Sequence, residues 1–163
     1  MTAPTAEPTI LQILLALCTA LMEITQDNGF YNDVAGAGVE PLSFNAQDSF
    51  PQITVREDSN KVTDSNGRGN VARDAVISVH GFVPIDAATA YTTAYRFRDD
   101  IERVLRSVTQ VTMADALGKP IVNTWSVLDE SAIEPSELAE GFLEVVCGVS
   151  CSYRDFSPPF PGI

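Results

Sequence analysis

Apolar positions along the first third of the chain repeat with a helical period. Leu11, Leu14, Leu15, Cys18, Leu21 and Met22, with Thr25 in phase, follow the i, i+3, i+4, i+7 spacing that lines one side of a helix. Thr9 is placed to cap its start, with Gln12 three residues on, and Gly29 to close its end. A second helix is expected from a cap at Asp86 to about Val108. Its buried stripe would be Tyr91, Ala94, Phe97, Ile101, Val104, Leu105 and Val108. Arg96, Asp99, Asp100, Glu102, Arg103 and Arg106 would face water, with Asp99/Arg103 and Glu102/Arg106 as i,i+4 pairs.

Elsewhere the period is two. Residues 30–35 allow a short strand before a glycine loop at 36–38, and residues 52–57 put Ile53 and Val55 on one face. The run 71–84 places Ala75, Ile77, Val79 and Val83 on one side, and Asp74, Val76, Ser78, His80 and Phe82 on the other. Residues 121–128 hold the single Trp125. Residues 141–154 alternate Leu143, Val145, Cys147, Val149, Cys151 and Tyr153 against Glu144, Ser150, Ser152 and Arg154. Clean alternation predicts a sheet buried on one face, hence mainly antiparallel. The order α-β-β-β-α-β-β predicts an α+β fold, with about five strands and two helices on one face.

Between the second and third strands, residues 58–70 are turn-forming apart from Val62, and predict a long hairpin arm. Residues 1–154 are read as a single domain. Residues 155–163 carry three prolines and are read as an extended tail.

Charge narrows the partners. The chain has 163 residues, 45% of them hydrophobic, with 10 Lys+Arg against 22 Asp+Glu and a net charge of −12. Such a surface repels phosphate backbones. No basic region precedes an apolar run at the N-terminus, and the run 10–22 is shorter than a membrane span. A soluble protein of a reducing compartment is expected. Cys147 and Cys151 on one strand would stand roughly 13 Å apart, beyond disulfide reach. All three cysteines are expected to be buried and inert.

Candidate chemistry is sparse. The one histidine, His80, shares its strand face with Ser78, while Asp74 lies about 20 Å along the strand. A surface or half-buried histidine is expected rather than a nucleophile's base. No Cys/His spacing suits a metal, and the glycines of 67–69 sit in a hairpin rather than between a strand and a helix. The acidic run Asp129, Glu130, Glu134, Glu137, Glu140 and Glu144 contains no basic residue and lacks a calcium-loop ladder; it is read as a solvated edge. The expectation is no catalytic centre and no cofactor.

The layout resembles the tail terminator (minor tail, or tail completion) proteins of long-tailed bacteriophages. The likeness rests on a helix leading into Asn28-Gly29 and the Phe30-Tyr31-Asn32-Asp33 segment. A Pro51-x-Ile53-x-Val55 strand follows, then a long strand ending Gly81-Phe82-Val83. The Asp100-Ile101-x-Arg103-x-Leu105 helix core and a last strand ending Tyr153-Arg154 complete it. The order of these pieces, spanning residues 8–154, carries the resemblance. The chain departs from the pattern in its proline-rich tail and in a short acidic insertion around Glu134.

The resemblance implies a virion protein of the tail and neck region, assembled in the host cytoplasm. It would form a homo-oligomeric ring, usually hexameric, that caps the tail tube, stops tube growth and meets the head–neck connector or stopper protein. The tail sheath is a further candidate partner, DNA would pass without specific binding, and no membrane is involved. Closed rings use heterologous interfaces. Asn60, Lys61, Arg68 and Asn70 of the arm, Arg73 just beyond it, and Phe156, Phe160 and Ile163 of the tail are therefore candidate assembly residues. An acidic inner wall would let DNA slide, and Glu57, Asp58, Asp64, Asp129, Glu130 and Glu134 are candidates for it. The alternatives are another head–tail connector or tail assembly component of similar fold, or a small acidic ligand-binding module or enzyme.

Overall fold

A computed structural model describes residues 7–39, 49–65, 70–86, 88–108, 113–115 and 118–155. Within them α1 (Thr9–Leu21) and α2 (Ala90–Ser107) pack on one mixed, mostly antiparallel sheet of six strands. The strands are β1 (Gly36–Gly38), β2 (Gln52–Ser65), β3 (Val71–Pro84), β4 (Thr124–Val127), β5 (Ala132–Pro135) and β6 (Phe142–Asp155). Their order is β1-β2-β3-β6-β4, and β5 also pairs with β6. The α+β expectation holds, with one strand more than expected. The extra strand is β5, because the edge alongside β6 is interrupted after Val127 and resumes at Ala132.

One side of the sheet is the core. Ile53, Val55, Ala75, Ile77, Val79, Leu143, Val145, Cys147, Val149 and Cys151 are all buried against Ile13, Leu17, Leu21, Phe97, Ile101 and Leu105. The helices sit close. A Cβ built on Gly81 would lie 2.5 Å from Phe97 Cε1 and 3.1 Å from Ile101 Cδ1, so the β3 backbone admits α2 only because residue 81 has no side chain. Trp125 donates its indole N–H to the Leu105 carbonyl at 2.9 Å, tying β4 to the end of α2.

Several local expectations change. Helix α1 is rotated from the expected stripe: Ile13 and Leu17 are buried, whereas Leu15 and Met22 are exposed. The helix is apolar on so much of its circumference that the period alone does not fix its phase. It is preceded by Pro8, not capped by the Thr9 side chain, and Gly29 instead closes a 3-10 turn, Gln26–Asn28, with φ 83°. Thr89 precedes α2 without a side-chain cap, and Tyr91 is exposed.

Residues 30–35 form no strand. The glycine segment 36–38 does, pairing parallel with β2 from Gly36 opposite Gln52. Strand β2 runs on to Ser65, so much of the expected arm is paired with β3, with register shifts between Glu57 and Ser59 and between Val62 and Asp64. Of the expected turn, 66–69 lie outside the described residues, as does the tail from 156 onward. The three cysteines are free and buried. No helix among the described residues is long and apolar enough to cross a membrane.

Candidate functional site

The side of the sheet away from the helices carries a chain of polar side chains, built by strand alternation. Ser78 and His80 are two apart on β3 and point the same way. Beside them on β6, Glu144 stands opposite Phe82. His80 Nδ1 lies 2.5 Å from Glu144 Oε1, and His80 Nε2 lies 2.8 Å from Ser78 Oγ. Ser78 Oγ also donates to Asp58 Oδ1 at 2.9 Å, and Arg56 Nε donates to the same oxygen at 3.1 Å. At the other end Ser136 Oγ donates to Glu144 Oε2 at 3.1 Å, while accepting from the N–H groups of Leu138 and Ala139.

Asp58 reaches this chain through a bulge. Glu57 pairs with Ile77 and Ser59 with Val76, which leaves Asp58 as an extra residue on β2. Bulges re-aim side chains in this way.

His80 is therefore not the surface or half-buried histidine expected from sequence. Ser78, His80 and Glu144 are 4%, 6% and 7% exposed. The carboxylate that meets the ring is Glu144, brought from 64 residues away by β3–β6 pairing, and not Asp74. Hydroxyl, imidazole and carboxylate in a row invite comparison with a nucleophilic triad, but the proton count opposes it. A serine hydroxyl has one proton, and an ionised carboxylate only accepts. With that proton directed to Asp58, the hydroxyl is not turned to give it to Nε2. In addition, Ser78 sits in mid-ladder between Arg56 of β2 and Gly148 of β6, where the neighbouring amides are engaged in strand pairing rather than turned towards an oxyanion. The row suits a strut fastening β2, β3, β6 and the 136–139 loop.

An open groove of about 500 Å³ adjoins the strut, lined by Asp58, Ser78, Leu128, Asp129, Glu130 and the β6 backbone near Gly148, among others. Three of the six expected lumen acids, Asp58, Asp129 and Glu130, thus meet around one groove. Glu57 pairs opposite Ile77, Asp64 lies far along the hairpin, and Glu134 stands opposite Glu144 on β5. No His/Cys/Asp/Glu group fit to hold a metal occurs among the described residues.

The candidate assembly residues divide. Asn60 donates to the Tyr153 hydroxyl at 2.7 Å and accepts from Arg73 at 3.0 Å, so both belong to a contact within the chain. Arg73 also lies 3.9 Å from Asp155. Asn70 accepts from Arg154 at 3.2 Å. Lys61 is exposed, with no ion pair among the described residues. Arg68, Phe156, Phe160 and Ile163 lie outside the described residues.

A second junction joins two segments far apart in sequence. Asp100 is fully buried in α2 and accepts from the backbone N–H of Tyr31 and of Asn32, each at 3.0 Å, and from Asn32 Nδ2 at 2.9 Å. Arg103, one turn on, donates to the Gly29 carbonyl at 3.1 Å and covers the Phe30 ring at 4.6 Å. Asp100 had been expected to face water. Only the fold brings residues 69 apart together.

No family model matches the chain, and no curated protein matches it.

Proposed function

We propose that the chain is a ring-forming virion subunit that caps the tail tube of a long-tailed bacteriophage, stops its growth and joins it to the neck. The carrying observation is that two segments behind the resemblance hold each other. Asp100 and Arg103 of the Asp100–Leu105 core grip the Gly29–Asn32 segment. Pieces that are weak as separate sequence signals become one junction in space. The remaining pieces also have physical roles: Ile53 and Val55 are fully buried, Gly81 admits α2, and Tyr153 is buried and bound to Asn60.

In this reading the function is docking and not catalysis. The groove with Asp58, Asp129 and Glu130 gives a face that repels phosphate, suited to the inner wall of a ring through which DNA slides. Asp64 and Glu134, both exposed, extend the same character.

The test is electron microscopy of tails assembled with and without the protein. Overlong tubes in its absence are expected. Tubes of normal length without it would remove the capping role, and binding to neck proteins alone would move it to a neighbouring place in the virion.

A further inference from the structure

The 3-10 turn after α1 holds a reactive pair. Asn28 is followed by Gly29, and both are exposed. An asparagine amide before glycine is open to attack by the next backbone nitrogen, because glycine has no side chain to crowd the five-membered ring that forms. Here the fold restrains both partners. Gly29 N–H donates to the Gln26 carbonyl at 2.9 Å, with φ 83° at the glycine. The Asn28 side chain is tied back along the chain: Nδ2 donates to the Glu23 carbonyl at 2.8 Å and to Glu23 Oε2 at 3.3 Å. Just beyond, Arg103 donates to the Gly29 carbonyl at 3.1 Å, and Asp100 holds the N–H groups of Tyr31 and Asn32. The attacking nitrogen, the amide and the carbonyl after them are each tied, and the outermost ties run to α2.

We infer that Asn28 is a latent site of self-deamidation, kept shut by the junction that Asp100 and Arg103 make with the turn. When the junction opens, Gly29 N loses its proton and bonds to Asn28 Cγ. The Cγ–Nδ2 bond breaks, and ammonia leaves with that proton. Water then opens the imide ring at either carbonyl, which leaves aspartate or isoaspartate at position 28. The reactants are this chain and water alone.

Refolding does not reverse the change. A carboxylate at position 28 meets Glu23 Oε2 where the amide now donates to it, so a hydrogen bond becomes a contact of like charges. Isoaspartate also lengthens the main chain by one carbon before Gly29, which moves the Gly29 carbonyl off Arg103 and the Tyr31 N–H off Asp100. Local openings have free energies of their own, below that of global unfolding. Each opening of this junction is therefore open to a covalent record, and a chain so marked closes less well. The device is independent of the ring reading.

The experiment ages the full chain in mildly alkaline buffer, folded and in urea, and follows amide-to-acid conversion by peptide mapping with mass spectrometry. Asn66, which also precedes a glycine, serves as reference within the same chain. In the folded wild type, Asn28 should convert about tenfold or more slowly than in urea. Arg103→Ala removes one tie from a side chain that is 44% exposed, so the variant is expected to fold, which circular dichroism verifies. It should speed Asn28 by about threefold or more while leaving the Asn66 rate unchanged. A folded wild type whose Asn28 converts as fast as in urea overturns the inference. So does a folded Arg103→Ala chain in which the Asn28 rate is unchanged, or rises only in step with that of Asn66.

Discussion

Asp100 and Asn32 meet twice: one carboxylate oxygen of Asp100 accepts both the backbone N–H of Asn32, at 3.0 Å, and its side-chain amide, at 2.9 Å. The other oxygen takes the Tyr31 N–H. A fully buried carboxylate thereby replaces its lost hydration with three donors, and the loop after the 3-10 turn is pinned to α2.

Asp100→Ala leaves those donors unpaired. Hydrogen bonds to a charged group contribute about 1.5–3 kcal/mol each, with imperfect additivity, so a loss of about 2–4 kcal/mol in urea unfolding is expected. Asp100→Asn should be less damaging but still destabilising, because one acceptor becomes a donor facing donors. A loss below about 0.5 kcal/mol for the alanine variant, within the range of ordinary surface changes, would show that the junction is not structural.

At Gly81 the expectation is steric. An alanine Cβ would stand 2.5 Å from Phe97 Cε1, so Gly81→Ala should cost about 1–3 kcal/mol and lower the melting temperature. Phe97→Leu in the same chain should recover part of that loss, giving a non-additive pair in a thermal-melt cycle. Equal losses in both backgrounds would mean that α2 does not press on β3 at this point.

The strut makes its own prediction. Ser78 and Glu144 each bond His80 from opposite sides of the ring, so removing either leaves the histidine half satisfied. Ser78→Ala and Glu144→Ala should each destabilise, and the double variant should lose less than their sum by about 0.5–3 kcal/mol. A nucleophilic serine gives a different outcome, in which S78A abolishes acylation by an activated ester. No acylation of the wild type is expected.

Burial pushes the thiols up: Cys18 and Cys151 to about 11 and Cys147 to about 12, from 9.0. The folded chain should therefore react slowly with a thiol reagent at pH 8 and release three reactive thiols on unfolding. An acid whose folded value is raised gives stability that is full below pH 9.0. That stability is lost as pH climbs from there towards 11–12, because only the unfolded chain deprotonates. Urea midpoints measured from pH 8 to pH 10.5 should fall. Rapid native labelling at pH 8 would contradict the burial.

Much of this was legible in the alternation of β3 and β6. The inward and outward sets of 71–84 and 141–154 are as their period requires, and Ser78 and His80 share a face for the same reason. Glu144 was visible as an outward residue, but its meeting with His80 depends on strand register, which no local pattern contains. Asp58 depends on a bulge, and Asp100 on the docking of a loop far away in sequence. The short β1 strand was hidden for another reason. Gly36–Gly38 pairs through backbone alone, so no side-chain pattern marks it. Tyr91 fell on the apolar stripe by type, yet it and Tyr95 are exposed, which hydrophobicity alone does not reveal.

The extra residue at Asp58 has a consequence for how this chain tolerates changes in length. Strand partners two apart on β2, Glu57 and Ser59, face neighbours only one apart on β3. Deleting Asp58 would iron out the kink and leave a regular ladder, with Ser59 still opposite Val76 and Asn60 still opposite Ala75. Asn60 would keep its place beside Tyr153, while Ser78 would lose its carboxylate partner. A single deletion between residues 52 and 57 has no such slack, because it would slip the inner end of β2 by one residue and turn Ile53 and Val55 out of the core.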